Sequence, residues 1–300
     1  MGVKGLYTYL KHYRNEVDPR TFSKLRIGID AMSLLYRYKD NTQELAVLLD
    51  GLKAHGHILF FVFDGKPPVE KEGEIQSRKD MKTLATAKAA SIESFLQSDS
   101  AKEMESSSRR LLEDSLARCQ NNSWHVTREM RRAFQGSLWN KDIPYVKSMS
   151  EADDVLVDLF AAGKLDVVLS SDMDYLLGGV KRLWIPTHKG TMYFEEVLLS
   201  DVLMGESISL ESFIDGGLLC GTQERLLAKG VAPSVAFTWI RHYGSIETIL
   251  KSSINQPALR QMFPDAESIR LIRDSVAPKG AYSRIRPDHL ERVLHFLDGL

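Results

Sequence analysis

The stretch Ile27-Gly28-Ile29-Asp30 is a short apolar run that ends in a carboxylate, and Phe61-Val62-Phe63-Asp64 repeats the pattern further along the chain. Such runs are typical of strands buried in a parallel sheet, which deliver a polar side chain to the carboxyl edge. The segment between them, about residues 31–54, predicts the helical crossover of a βαβ unit. A third apolar run covers residues 166–171. The sequence therefore predicts an α/β fold with a mostly parallel sheet.

Acidic side chains follow these predicted strands. Carboxylates that meet at one edge of a sheet repel one another unless positive charge lies among them. Mg²⁺ and Mn²⁺ are the usual partners, because hard divalent cations prefer oxygen ligands. The pattern therefore predicts a metal-dependent site for phosphoryl transfer. The acids concerned are Asp30, Asp64, Glu151, Asp153, Asp154, Asp172 and Asp174.

The acidic segment at residues 150–154 also has a purely structural interpretation. Ser150 followed three residues later by Asp153 resembles a capping box, which satisfies free amides at the start of a helix. Acidic side chains at a helix start can still project toward a cleft. Helical spacing pairs Glu151 with Asp154 better than with Asp153, so spacing alone leaves open which aspartate is a ligand. The later Asp-x-Asp pair is likewise common in turns that follow strands.

The composition excludes several classes of protein. The chain has 300 residues, of which 43% are hydrophobic, so it can bury a substantial core. Its two cysteines, Cys119 and Cys220, are far apart and form no metal-binding motif, which indicates a reducing, intracellular compartment, either nucleus or cytoplasm. No apolar run approaches the about 18 residues of a membrane span, and the start lacks a signal peptide, so we expect no membrane association. A net charge of −1 counts against a nucleic-acid partner.

Periodicity and chain-breaking residues predict the remaining organisation. Residues 76–95 are rich in Ala, Lys and Met and predict a helix outside the sheet. Strand character returns at residues 182–185, with a shorter candidate at 192–194. Beyond about Ser207 the pattern is helical.

Six stretches, taken together and in order, resemble one known family. They are MGVKGLYTYL (1–10), IGIDAMSLLYR (27–37), FVFDGKPPVEK (61–71), SEAD (150–153), SSDMDYLLGG (170–179) and FIDGGLLCG (213–221). The chain resembles the flap endonuclease family of structure-specific 5′ nucleases, the XPG-like enzymes, over roughly residues 1–250. The resemblance implies a PIN-like α/β nuclease core with a helical arch or gateway and a C-terminal helix-hairpin-helix module.

The same resemblance implies domain boundaries. The nuclease core is expected at residues 1–207, with the helical gateway at about residues 66–140. Residues 208–300 are expected to form the helix-hairpin-helix region that binds DNA, followed by the C-terminal helices.

The resemblance also implies roles for individual residues. Lys71 and Arg78 match the catalytic basic positions of the gateway helix, where seven residues, about two turns, would place them on one face. Tyr36 matches an aromatic residue that stacks on a base, although its spacing also fits a core position. The alignment favours Asp153 over Asp154 as a ligand. The implied metal ligands, direct or through water, are Asp30, Asp64, Glu151, Asp153, Asp172 and Asp174.

Further expectations concern DNA and cofactors. Gly2 is expected near the cleft, and Gly230 and Ala232 lie in the hairpin expected to hold a DNA phosphate. Two Mg²⁺ ions, with Mn²⁺ able to substitute, are expected to hydrolyse phosphodiesters in DNA replication, recombination or repair. The expected partner is DNA with junctions between single and double strands. The protein is expected to be a monomer, and no sliding-clamp motif is evident.

Two positions depart from the family pattern. Gln223 stands where these enzymes carry their last metal-binding aspartate, and the neighbouring Glu224 is an alternative ligand. Ala232 replaces a second glycine of the hairpin, a costly change if that position needs a positive φ. These departures favour a second hypothesis, a catalytically impaired scaffold that binds nucleic acid. A small-molecule phosphatase is a third, but it would have no use for a gateway or hairpin.

Overall fold

The structure is a computed structural model that describes most of the chain. It describes residues 3, 5–39, 41–67, 72–187, 192–221, 230–252, 257–280, 284–286 and 296. Three residues singled out from the sequence, Gly2, Lys71 and Gln223, lie outside these ranges, as does Glu224.

Strands in the described residues form a single mixed sheet. Its spatial order is β1-β7-β6-β5-β2-β3-β4. The five strands from β6 to β4 run parallel to their neighbours, whereas β7 and β1 pair antiparallel at one edge. This confirms the predicted α/β fold with a mostly parallel sheet. The strands are β1 (Arg14–Val17), β2 (Arg26–Asp30), β3 (Ile58–Phe63), β4 (Tyr145–Lys147), β5 (Val167–Leu169), β6 (Arg182–Pro186) and β7 (Phe194–Leu198).

Helices connect the strands and continue beyond them. Two short 3₁₀ turns occupy Leu10–Tyr13 and Pro19–Thr21. The α-helices are α1 (Leu6–Tyr9), α2 (Ala31–Tyr38), α3 (Thr42–Ala54), α4 (Glu72–Leu96), α5 (Asp99–Lys102), α6 (Ser106–Ser123), α7 (Arg128–Asn140), α8 (Ala152–Ala161), α9 (Asp174–Leu177), α10 (Leu199–Glu206), α11 (Leu210–Cys220), α12 (Pro233–Tyr243), α13 (Ile246–Lys251), α14 (Pro257–Met262) and α15 (Ala266–Val276).

Most predicted elements occur close to their predicted positions. The predicted crossover is two helices, α2 and α3, and the helix predicted at residues 76–95 is α4. The short strand predicted at residues 192–194 lies further along the chain, because β7 begins only at Phe194. Strands β1 and β4 were not predicted. The mostly polar residues 97–127, which follow α4, contain two further helices, α5 and α6.

Gly65 brings the ends of β3 and β4 together. Its N–H donates to the Ser150 carbonyl at 2.7 Å, and a Cβ atom at this position would overlap the Ser148 carbonyl oxygen. Only glycine permits so close an approach of two backbones. As a result, the residue before it, Asp64, lies beside the start of α8.

The chain divides into two compact units. The first contains residues 1–67 and 129–300, and the second contains residues 68–128. In the second unit, α4 packs along α6. The domain boundary at residue 207 and the gateway limits of 66–140 stay predictions. No helix that the structure describes combines the length and hydrophobicity of a membrane span.

Candidate active site

The acids selected from the sequence occupy one edge of the sheet in the first unit. Asp30 is the last residue of β2, and Asp64 directly follows β3. Asp172 follows β5, which pairs with β2 on the side opposite β3. The order of connections reverses between β2 and β5, and ligands bind at such switch points in open α/β sheets. The fold therefore places these carboxylates where a ligand site is expected.

Asp30 has both oxygens engaged with neighbouring groups. Its Oδ1 atom accepts hydrogen bonds from the amides of Met32 and Ser33 at 3.0 and 3.1 Å, which caps α2. Its Oδ2 atom accepts from the Ser170 hydroxyl at 3.1 Å. Burial of the carboxyl group and, next, the charge of Asp64 raise the pKa of Asp30 to about 7. Like charges have therefore been brought close together here.

The start of α8 is capped differently from the prediction. The proposed capping box between Ser150 and Asp153 is wrong, because the N-cap residue is Glu151 and its side chain makes no capping bond. Instead, Asp64 Oδ1 accepts from the Ala152 amide at 2.9 Å. A residue 88 positions away thus caps this helix. The contact fixes Asp64 against the acidic segment.

Asp153 and Asp154 have different surroundings, although they are neighbours. Asp154 accepts from the Ser150 hydroxyl at 2.6 Å and forms a salt bridge with Arg284. Asp153 Oδ1 accepts from the Asp154 amide at 2.8 Å. A guanidinium thus already compensates Asp154, and the choice of Asp153 as the ligand stays a prediction. The charges of Asp153 and Glu151 also act on Arg284, whose pKa is lowered mainly by burial.

The pair after β5 is held by backbone amides. Asp172 Oδ1 accepts from the Asp174 amide at 3.0 Å. Asp174 Oδ1 accepts from the Val3 amide at 2.6 Å, which ties the amino-terminal segment to the site. Gly2 itself is outside the described residues, so its place near the cleft stays a prediction.

The donor set suits a hydrated divalent cation. Within the described residues, no three Asp, Glu, His or Cys side chains form a ready-made cage for an ion. Mg²⁺, however, usually keeps several waters and binds through one or two carboxylates. Tyr175 supplies a second observation, because it is 1% exposed and its hydroxyl has no hydrogen-bond partner in the described part of the chain. An unsatisfied buried hydroxyl among carboxylates fits a polar ligand at this position.

The remaining predicted site residues are placed as follows. Tyr36 is 37% exposed on α2, so it is not a core residue. Gly230 approaches the Cys220 carbonyl so closely that a Cβ atom would overlap it. Ala232 has a φ of −62°, so this position does not need the positive φ that would make alanine costly there. Arg78 lies on α4 in the second unit.

Comparisons with known proteins identify the family of this chain. A model of the XPG N-terminal domain matches residues 1–85, and a model of the XPG I-region matches residues 142–223. Together they cover more than half of the chain. Flap endonuclease 1 of Komagataella phaffii is 28% identical over 294 residues, which is 88% of this chain and 74% of that protein. The chain belongs to the XPG-like flap endonuclease family.

Solved structures show the shared fold of this XPG-like chain. The catalytic core of Rad2 in complex with DNA substrate has a TM-score of 0.63 at 16% identity, over 100% of this chain and 96% of that one. Flap endonuclease-1 from Methanococcus jannaschii has a TM-score of 0.59 at 19% identity, over 99% of this chain and 92% of that one. The PIN-like fold expected from the sequence is confirmed.

Two residues of the site were missed from the sequence. Arg284 reaches Asp154 because its segment lies beside β4, where Met149 N donates to the Arg284 carbonyl at 2.8 Å and Ser148 pairs with Ile285. No local sequence pattern predicts the pairing of these two segments. Tyr175 adjoins Asp174 in the sequence, and this adjacency was the only signal that could have drawn attention to it.

Proposed function

We propose that this chain is a structure-specific 5′ nuclease that hydrolyses DNA phosphodiester bonds at flaps, ends or junctions, in replication, recombination or repair. Membership of the XPG-like flap endonuclease family supports this activity. The structural observation that carries it is the gathering of acids from four separate segments at the carboxyl edge of β5, β2 and β3. The charges of two of these acids, Asp64 and Asp172, contribute to the raised pKa of Asp30.

The acids would hold two Mg²⁺ ions, with Mn²⁺ able to substitute. When bound, paired divalent ions lower the pKa of a water molecule, orient it in line and neutralise charge on the leaving 3′ oxygen. Backbone amides and hydroxyls of the chain orient the ligands beforehand, as at Asp172 and Asp174. Preorganised ligands need not be reordered during the reaction. The proposed ligands are Asp30, Asp64, Glu151, Asp153, Asp172 and Asp174.

Lys71 and Arg78 would add positive charge as the transition state becomes more anionic. This assignment rests on their match to the basic positions of the family, and Arg78 lies on the long helix α4. No His, Ser or Cys nucleophile is required, because the attacking group is water.

Shape rather than sequence would select the substrate. Backbone contacts position a duplex without reading its bases, and the helical unit would admit only a single strand or a frayed end. The start of α12 has no side-chain cap, and an amide of its first turn would bind a DNA phosphate. Gly230 shapes the hairpin before that helix, with Ala232 as its N-cap, while Tyr36 would stack on a base and Gly2 would lie near the cleft. We propose that the protein acts as a monomer.

A second candidate, the scaffold that binds but cleaves poorly, is favoured by one observation. Gln223 offers a neutral oxygen in place of a carboxylate, which weakens the expected second ion site. Gln223→Asp should therefore raise cleavage or lower the Mg²⁺ concentration that cleavage needs. An unchanged Mg²⁺ requirement would show that the site works without that ligand.

End-labelled DNA separates the two candidates. The wild-type protein is incubated with 5′-flap, nicked, gapped and single-stranded DNA, with Mg²⁺, with Mn²⁺ or with chelator. We expect ion-dependent cleavage of flap or junction DNA, and we expect Asp172→Asn to bind the same DNA without cutting it. Binding without cleavage by the wild type, with both ions tested, would leave only the scaffold.

A further inference from the structure

Tyr175 combines complete burial with an unused polar group. It is the second residue of α9, it is 1% exposed, and its ring packs in the hydrophobic core. Its hydroxyl is buried and has no hydrogen-bond partner among the residues that the structure describes. Buried hydroxyls in native proteins almost always have a partner. A phenylalanine would fill the same space without leaving a polar atom unsatisfied.

The surroundings of the hydroxyl are acidic. Burial, and after it the charges of Asp30, Asp153, Asp172 and Asp64, raise the pKa of Tyr175 well above its ordinary value. These four carboxylates come from the end of β2, the start of α8 and the segments after β5 and β3. Tyr175 also directly follows Asp174 on α9, so its buried hydroxyl belongs to the same part of the fold as the acidic site. As a neutral O–H group it is a donor among acceptors.

The neighbouring carboxylates already have other donors. Asp30 accepts from two amides and from the Ser170 hydroxyl. One oxygen of Asp64 accepts from the Ala152 amide. The donors that orient these acids are thus backbone amides and a serine, and Tyr175 is not among them. An acceptor for the Tyr175 hydroxyl is thus missing among the residues that the structure describes.

We infer that the Tyr175 hydroxyl donates a hydrogen bond to a water molecule of a hydrated divalent cation held among Asp30, Asp64, Asp153 and Asp172. Tyr175 is then a positioning residue, because it acts on the ion through that water and touches no reacting atom. The inference rests on the proposed cation site and adds a residue to it. Outer-shell donors of this kind orient the groups bound to a metal ion.

The test removes one oxygen atom. Tyr175→Phe is compared with the wild type by thermal unfolding without divalent ions and by calorimetric titration with Mg²⁺ and Mn²⁺. Without ions we expect an unchanged or higher midpoint, because the substitution removes an unsatisfied buried group. With ions we expect affinity to fall by about tenfold, the effect typical of a lost outer-shell partner. A residue with a purely structural role would instead lower the midpoint without ions.

Tyr38→Phe is the matched control. Tyr38 is also 1% exposed, but the charged groups that act on it are Arg37 and Glu44 rather than the acidic site. We expect this variant to bind both ions as the wild type does. Equal ion affinity of Tyr175→Phe and the wild type would overturn the role of Tyr175, as would a lower midpoint without ions.

The same experiment distinguishes this inference from the proposed function. If the wild type binds Mn²⁺ and cleaves flap DNA while Tyr175→Phe binds the ion equally well, only the role of Tyr175 fails. If the wild type neither binds the ion nor cleaves, the proposed function fails and the inference falls with it.

Discussion

Substitution of Asp64 separates two roles that the structure gives to one side chain. Its Oδ1 atom accepts from the Ala152 amide at 2.9 Å, and its charge helps to raise the pKa of Asp30. Asp64→Ala removes both the acceptor and the charge. Asp64→Asn keeps an oxygen acceptor of the same shape and removes only the charge. The two variants should therefore differ in stability but agree in the loss of ion binding.

The expected magnitudes follow from these contacts. Loss of a side-chain acceptor at a helix start costs about 0.5–2 kcal/mol, typically about 1. In a domain of this size, about 1 kcal/mol lowers the unfolding midpoint by roughly 2–4 °C. Loss of the charge relieves repulsion with Asp30 in both variants. Without divalent ions, Asp64→Asn should thus be at least as stable as the wild type, and Asp64→Ala should be less stable than Asp64→Asn by that amount.

The assay is thermal unfolding of the wild type and both variants, each with chelator and with excess Mg²⁺. The wild-type midpoint should rise with Mg²⁺, because a ligand that binds the folded state stabilises it. Neither variant should show a comparable rise. The reasoning is refuted if Asp64→Asn and Asp64→Ala are equally stable with chelator, or if Asp64→Asn keeps the full response to Mg²⁺.

Two further predictions concern charged pairs. Arg284→Gln breaks the salt bridge between Arg284 and Asp154, whose side chains are 21% and 24% exposed, respectively. This substitution should lower the free energy of unfolding by about 1–2 kcal/mol. It should also tighten Mg²⁺ binding in calorimetry, because a positive charge leaves the acidic site; weaker binding would show that Arg284 orients the ligands. The hydrogen bond from Arg26 lowers the pKa of Asp166, so its stabilisation is complete above about pH 4 and is lost as the pH falls through the folded value. The stability deficit of Asp166→Asn in denaturant titrations should therefore shrink toward acid pH, and a constant deficit would contradict this.

Elements with a strong local pattern were predictable from the sequence. The apolar composition of the runs that form β2 and β3 indicates that these strands are buried. As the pattern predicted, β2 ends at Asp30 and β3 ends just before Asp64. Strands β1 and β4 have no such signature, because three of the four residues of Arg14–Val17 are polar or charged and Tyr145–Lys147 is only three residues long. Their pairing is decided by the neighbouring strands rather than by their own residues.

The site was predictable as a set of acids but not as a network. Sequence spacing predicted that a nearby residue caps α8, whereas the cap is Asp64, which directly follows β3. Arg284 reaches Asp154 from a distant segment of the chain. The orphaned hydroxyl of Tyr175 is likewise a product of tertiary packing. Long-range contacts of this kind leave no periodic trace in a single sequence.

A diffraction experiment on crystals soaked in Mn²⁺ tests the central claim most directly. Anomalous difference maps locate the ion without reference to activity. We predict one or two peaks at the carboxyl edge of β2 and β5, with an oxygen of Asp30, Asp64 or Asp172 within about 2.5 Å of a peak. Maps without a peak at this edge, at Mn²⁺ concentrations that support cleavage, would contradict the account.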